Sequence, residues 1–407
     1  MDQLTDRQQA RPGRIPLRDI YRGPLAIAFA SSVAAVSGAT LLYPVLPVLA
    51  ADLKVDEAQI GLTMAAFTAP AIVLAPLFGI LADLYGRRWL LVFGLAVFGI
   101  AGAAVALAPS YDGVLILRAV QGIGASALLP LTIVLISDIL PDEQEIQGQG
   151  IKVALDRVSM IVLPLLGGAL ALLSWRAAFV PFLLIVLLAL AAYLWMPETG
   201  RPGEDSLKQY LARTSRAIRE PRLTLAFATG FLRFFLDYGL YTYLPIIVAL
   251  RYGASPAVIG LLIAVAAVGS IVTALGIGRV YGRIATETLL AWAFLASAIG
   301  VGLPAVGAPL WLIAIGMLLF GLGNGLISPL QKSLMTRRTL PQLRGGVIAV
   351  DRVIQQVAKS AAPALLGLLL LVAPLEALFW VMCAMSVAGT LALIVVALMR
   401  DPKQSSW

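Results

Sequence analysis

Eight charged side chains lie inside long apolar runs of this 407-residue chain, clear of the runs' terminal residues, and its chemistry has to be sought among them. Five are cations, Arg118, Arg157, Arg233, Arg352 and Lys359, and three are acids, Asp156, Asp237 and Asp351. Each would cost about 2.5–3.5 kcal/mol near a bilayer centre even on the lenient insertion scale. They are therefore expected to face a bundle interior, in pairs or in water. Their positive excess favours electron-rich or anionic ligands. Histidine is absent, which excludes a Ser-His-Asp triad and His-ligated metals and leaves proton handling to carboxylates. The one cysteine, Cys383, sits in an apolar run, so neither an intrachain disulfide nor a Cys-based metal site is expected, and no cofactor is implied.

Spacing sorts these groups. Arg233, Asp237 and Tyr241 are four apart and share one helix face. Asp237 falls about 14 residues from one end of its run, roughly 20 Å deep. A deep carboxylate beside a cation can exchange that partner for a proton or a substrate, because burial favours the neutral form and the cation the charged one. Asp237 is thus a candidate coupling carboxylate with Arg233 as its switchable partner. A static ion pair that fixes the helix is the competing reading. Asp351, Gln355 and Lys359 form a second such stripe. The Lys359 ammonium suits a carboxylate or phosphate of a substrate, or it pairs with Asp237 from another helix, or it does each in turn. Tyr43, Tyr238, Tyr241, Tyr243 and Phe234 are candidates for amphipathic cavity walls, against core or lipid-facing roles.

The elements that must position these residues follow from composition. The chain is 60% hydrophobic and 13% charged, with a mean hydropathy of +0.92, where a soluble domain carries about 25% charge. A cytosolic enzyme, a nucleic-acid binder and a disordered scaffold are ruled out. Twelve apolar runs are long enough to cross a bilayer as helices: 24–50, 60–82, 89–108, 113–137, 151–173, 178–196, 224–250, 257–280, 287–306, 309–331, 346–372 and 376–399. The first run is too long, and lacks a small-residue cleavage site, to be a removable signal. The fold class is an all-α integral membrane protein. Twenty-two of the Lys and Arg residues flank the spans on one side and three, Lys54, Arg176 and Arg251, on the other. That asymmetry places both termini in the cytoplasm of a cell inner membrane.

The predicted organisation is a cytoplasmic tail (1–23), a six-helix unit (24–196), a polar linker (197–223), a second six-helix unit (224–399) and a short tail (400–407). Within the linker, Leu207, Tyr210, Leu211 and Ile218 recur opposite Lys208, Arg213, Arg216 and Arg219, the pattern of a cationic amphipathic helix or of a solvated linker. The halves repeat. Leu84-Tyr85-Gly86-Arg87 matches Val280-Tyr281-Gly282-Arg283, Gly122-x-Gly124 with Pro130 matches Gly321-x-Gly323 with Pro329, and Ala154-Leu155-Asp156-Arg157-Val158 matches Ala349-Val350-Asp351-Arg352-Val353. Two like units of six crossings run parallel, related by a pseudo-two-fold axis along the membrane normal. Such units can rock about a central cavity and expose it to each side in turn. The duplicated Asp-Arg pairs are candidates for structural or gating roles, with substrate contact as the alternative.

At this point the residues resemble the major facilitator superfamily, and within it the drug:proton antiporter group. Gly79-x-x-x-Asp83-x-x-Gly86-Arg87-Arg88 fits that family's signature loop, Arg118-x-x-Gln121-Gly122-x-Gly124-Ala125 resembles its second motif, and Pro164-x-x-Gly167-Gly168 resembles the antiporter motif, except that Leu163 stands where a glycine is expected. The resemblance implies a proton-coupled role for Arg118 in some members and helix packing in others. Asp83 is expected to face the positive start of the eleventh helix near Gly345-Gly346 as a latch, or to be merely solvated. Asp83, Gly86, Arg87, Pro164, Gly167 and Gly168 join the candidate gating residues, ordinary small-residue packing being the alternative for the last three.

The expected function is export of a small amphiphilic or acid-bearing compound, such as a drug, siderophore or metabolite, in exchange for protons, by a functional monomer. Organic-anion uptake or facilitated diffusion, and lipid or lysolipid transport, remain open. No phosphate loop, metal cluster or nucleophile elbow is present, so ATP-driven pumping, enzymatic chemistry and nucleic-acid partners have no supporting motif.

Overall fold

The computed structural model describes residues 23–199, 223–279, 281–337, 339 and 344–399. Eleven of its helices are long and apolar enough to cross a membrane: α1 (Gly23–Leu53), α2 (Glu57–Ala82), α3 (Arg87–Leu107), α4 (Tyr111–Ile139), α5 (Glu143–Ala171), α6 (Trp175–Trp195), α7 (Thr224–Tyr252), α8 (Pro256–Arg279), α9 (Thr286–Ala305), α10 (Leu310–Met335) and α12 (Leu375–Leu398). Helix α11 (Arg344–Leu369) completes the twelve. It is the most amphipathic of them, carrying Asp351, Arg352 and Lys359. The linker pattern at 200–222 and both tails lie outside the described residues.

The sequence repeat reappears in the packing. In the first half α3 packs on α4 and α6, α2 on α4, and α1 on α5. In the second half α9 packs on α10 and α12, α8 on α10, and α7 on α11. Each neighbour pair recurs six helices later, as two parallel six-helix bundles require. The glycines of the repeat show why. A Cβ at Gly122 would strike the Phe67 carbonyl of α2, and one at Gly321 the Ala266 carbonyl of α8. Gly124 lies equally close to α3 backbone at Phe98, and Gly323 to α9 backbone at Ala293. Backbone-to-backbone approach at these crossings has room for no side chain.

The halves meet along α1 with α7, α5 with α8, and α2 with α11. The tightest seams lie at the end bearing loops 54–56, 172–174 and 253–255, named the outer end from the lysine and arginine distribution. There Gly61 of α2 packs on the Pro363 carbonyl and Tyr243 hydroxyl, and Gly367 of α11 packs on the Ala58 carbonyl. The same end is tied within each half. Asp52 of α1 accepts from Trp175 Nε1 at 2.6 Å and from Arg176 at 2.9 Å, and Arg251 of α7 pairs with Glu376 of α12 at 3.4 Å. Thus two of the three outer cations hold the end of their own bundle.

Two spans differ from the sequence reading. Helix α5 begins at Glu143 and α10 runs on past residue 331, so both extend beyond the apolar stretch that marks them. Lys152, one of the twenty-two cations counted as flanking the spans, is a buried helical residue. Helix α1 is broken by a 3-10 turn at Tyr43–Val45, where Pro44 cannot supply a helical N–H.

Candidate functional site

Helix α7 presents Arg233, Asp237 and Tyr241 on one face, as their spacing requires, with Asp237 only 7% exposed. The direct ion pair is long, with Arg233 Nε standing 3.9 Å from Asp237 Oδ2. Asn324 of α10 fills the gap. Arg233 Nε donates to Asn324 Oδ1 at 2.6 Å, and Asn324 Nδ2 donates to Asp237 Oδ1. One amide therefore satisfies both charges at once, accepting from the cation and donating to the anion. Ser297, Phe320 and Ile327 close a crevice around the triad that is too narrow for a water molecule. Sequence reasoning missed Asn324. Its only signal was a lone amide between Gly323 and Gly325, the two glycines that seat α10 against α9 and α8.

The aromatic candidates come together beside this triad. Tyr43, at the break in α1, lies edge-on to Tyr238 with ring centroids 6.4 Å apart and 5.4 Å from Tyr241, which in turn meets Phe320 at 5.9 Å. The cluster thus spans both halves. Tyr243 is separate: it is fully buried and donates to the Pro363 carbonyl at 2.7 Å, at the outer seam. Lys359 of α11 does not pair with Asp237. Its Nζ lies 4.7 Å from the Phe234 ring centre and 5.7 Å from that of Tyr238, and the Phe234 ring also lies 4.7 Å from Arg233 Cζ. Gln355, on the second stripe, donates to Asp351 at 2.5 Å.

Arg118 is fully buried with no carboxylate partner among the described residues. It donates to Gln121 Oε1 at 2.6 Å and to the Thr63 carbonyl at 3.4 Å, and its guanidinium stacks 4.1 Å from the Phe67 ring centre. It joins α4 to α2. The two Asp-Arg dipeptides do not pair internally. Asp156 binds Lys152 at 2.7 Å and accepts from Ser32 of α1 at 2.6 Å, while Arg157 reaches across the halves to Ser270 of α8 at 3.1 Å. Asp351 accepts from Gln331 of α10 at 2.9 Å as well as from Gln355. Arg352 turns the other way and lines a cavity of about 250 Å³ between α2, α4 and α11, walled by Ala71, Pro76, Ile80 and Leu131 with Gln356 at its edge.

The remaining candidates lie at seams. Gly167 abuts the Leu41 carbonyl at the break in α1. Gly168 abuts the Pro256 carbonyl of α8, and Gly260 of α8 abuts the Pro164 carbonyl of α5. At the start of α3, Gly86 adopts φ +96°, a region open to glycine. That turn lets the Glu198 carboxylate accept from the Arg87 backbone N–H at 2.6 Å and cap α3, while the Arg87 side chain pairs with Asp138 of α4. The side chain of Asp83 lies outside the described residues, and with it the latch expected between Asp83 and the start of α11.

Comparison with known proteins places this architecture. A model of the Major Facilitator Superfamily matches residues 27–253 and 226–407. Quinolone resistance protein NorA of Staphylococcus aureus is 28% identical over 215 residues, covering 50% of this chain and 55% of NorA. Multidrug resistance protein 3 of Bacillus subtilis is 37% identical over 105 residues, 26% of this chain and 20% of that protein. The chain spans about half the length of the first of these relatives, and less of the second. A bacterial homologue of the human lysosomal transporter Spinster, solved inward-facing and unoccupied, superposes with a TM-score of 0.73 at 17% identity, covering 95% of this chain and 96% of that one. Sequence match and fold agree from residue 27 onward on helices whose neighbours repeat six apart, and the chain belongs to the Major Facilitator Superfamily.

Proposed function

We propose that this protein is a proton-coupled secondary active transporter that exports a small amphiphilic or anion-bearing organic compound by alternating access. It acts as a monomer in the cell membrane with both termini in the cytoplasm. The observation that carries the reading is the triad of Arg233, Asn324 and Asp237. A buried carboxylate is held at 3.9 Å from its cation through an amide that can keep either group company when the other leaves. A static structural pair has no need of that gap, since i,i+4 side chains reach direct contact on a helix. The tyrosines of α1 and α7 beside it link the two halves, so movement of one half against the other changes the surroundings of Asp237. Resistance to quinolones and other drugs, after which the relatives are named, favours outward transport.

The test is Asp237→Asn in proteoliposomes under an imposed pH gradient. Loss of substrate-driven proton flux, with substrate binding retained, is the expected outcome. Unchanged coupled flux would refute the reading. Accumulation in inverted vesicles held acid inside separates export from organic-anion uptake.

A further inference from the structure

Lys359 is unlike the other cations of the bundle interior. Arg233 and Arg157 each hold a hydrogen-bonding partner, Lys152 holds an acid, and Arg118 is sealed beneath Phe67. The Lys359 ammonium meets only the Phe234 and Tyr238 rings, makes no hydrogen bond or ion pair with any described residue, and is not among the sealed polar atoms. No carboxylate among the described residues contacts it, and it is not sealed off. An ammonium at this depth needs an anion or water around it. Gln356, one helical turn before it on α11, edges the 250 Å³ cavity, whose mostly apolar walls also carry Arg87. Arg352, two turns back on the same face, lines that cavity too. On the far side lie Tyr43 and Tyr241, extending the aromatic wall.

We infer that the substrate is an aromatic carboxylate, its carboxylate set on Lys359 and its ring laid against Phe234 and Tyr238. This rests on the transport reading above and narrows its substrate class. A single carboxylate matches one ammonium, whose charge-assisted hydrogen bonds the site leaves unused. Phe234 is already polarised by two cations, at Arg233 and Lys359, and a substrate carboxylate relieves that crowding by neutralising one of them. A flat ring adds edge or face contacts to Tyr238 that an alkyl chain does not make. A cationic ligand meets the ammonium instead and is disfavoured. Asp237, hydrogen-bonded by Asn324, does not contact Lys359 and stays available for the proton.

Binding tests this directly. The full chain in lipid nanodiscs is titrated calorimetrically with 2-naphthoate, 2-naphthamide, 2-naphthylmethylammonium and octanoate. The wild type is expected to bind naphthoate at least about tenfold more tightly than the amide or the ammonium, and more tightly than octanoate. Lys359→Ala erases the preference over the amide, Lys359→Arg keeps it, and Phe234→Leu weakens naphthoate more than octanoate. Monodisperse elution and an unchanged melting temperature certify each variant as folded. Equal binding of naphthoate by wild type and Lys359→Ala, or tighter binding of the ammonium, overturns the carboxylate assignment. Octanoate binding as tightly as naphthoate overturns the aromatic one. Proton coupling is read in Asp237→Asn and naphthoate binding in Lys359→Ala, so failure of the transport reading and failure of the carboxylate assignment appear in different variants.

Discussion

Replacing Asn324 by leucine should convert a loose, relayed ion pair into a tight one and so slow the transporter while destabilising it. In the structure Asn324 accepts from Arg233 at 2.6 Å and donates to Asp237, and the charges themselves stand 3.9 Å apart. Hydrogen bonds to charged groups contribute about 1.5–3 kcal/mol each, so removing both costs roughly 3–6 kcal/mol. Part of this returns if the freed side chains close to about 2.8 Å. At an effective dielectric of about 20, attraction between unit charges rises from roughly 4.3 kcal/mol at 3.9 Å to roughly 5.9 kcal/mol at the shorter distance, a gain of about 1.6 kcal/mol. The net loss of stability is then about 1.5–4.5 kcal/mol, read as a lower melting temperature in detergent. The same 1.6 kcal/mol must be overcome whenever Arg233 and Asp237 part, which slows that step by about fifteenfold. Substrate-driven proton flux in proteoliposomes measures the second effect, and Asn324→Gln, which retains the amide, should recover part of both. If Asn324→Leu melts as the wild type does and carries protons at the same rate, the amide is not the intermediary described here.

Three further outcomes follow from the seams and caps. Gly61→Ala places a methyl against Tyr243 and the Pro363 carbonyl, which hold each other by a hydrogen bond; overpacking of about 1–3 kcal/mol should shift the population toward opening at the outer end, seen as longer distances between spin labels at Lys54→Cys and Val372→Cys in a Cys383→Ser background, whereas an unchanged distance distribution would contradict it. Gly86→Ala forces a side chain into φ +96° and onto the Glu198 carboxylate, with an expected loss of about 1–3 kcal/mol in thermal unfolding; an alanine variant as stable as the parent would show that the turn carries no strain. Lys152→Ala removes the ion pair of Asp156, whose side chains are 9% and 22% exposed, and a double-mutant cycle with Asp156→Ala should return a coupling of about 1–2 kcal/mol, below the 3–5 kcal/mol lost on breaking a fully buried pair; a coupling near zero would make the contact incidental.

Most of the architecture was legible because a bilayer demands long apolar helices and because the duplicated glycines mark the same crossings in each half. The ends of α5 and α10 were not, since helix continues into polar sequence where neighbouring side chains hold it, as Glu145 accepts from Ser137 and Gln149 donates to the Ile133 carbonyl, and hydropathy is silent there. That is why Lys152 counts among the flanking cations by hydropathy alone. The partners of the buried charges were legible only along one helix. Arg233 and Asp237 share a face by spacing, whereas Asp156 and Arg157 point about 100° apart, so each had to find its partner on another turn or another helix. Asn324 belongs to the same class. Nothing along α10 announces an amide as the link between two residues of α7, because the link exists only after α7 and α10 are packed.

The seam between α5 and α8 is made by reciprocal contact, with Gly168 on the Pro256 carbonyl and Gly260 on the Pro164 carbonyl. At these points each helix offers the other bare main chain, and parting them there interrupts no interdigitated side chains; the Arg157–Ser270 hydrogen bond is the side-chain tie that must be released. Such a joint behaves as a sliding plate rather than a zipper: it grips through dispersion at short range and lets go over a fraction of an ångström. If the two halves rock as proposed, a joint of this kind holds no memory of its last position.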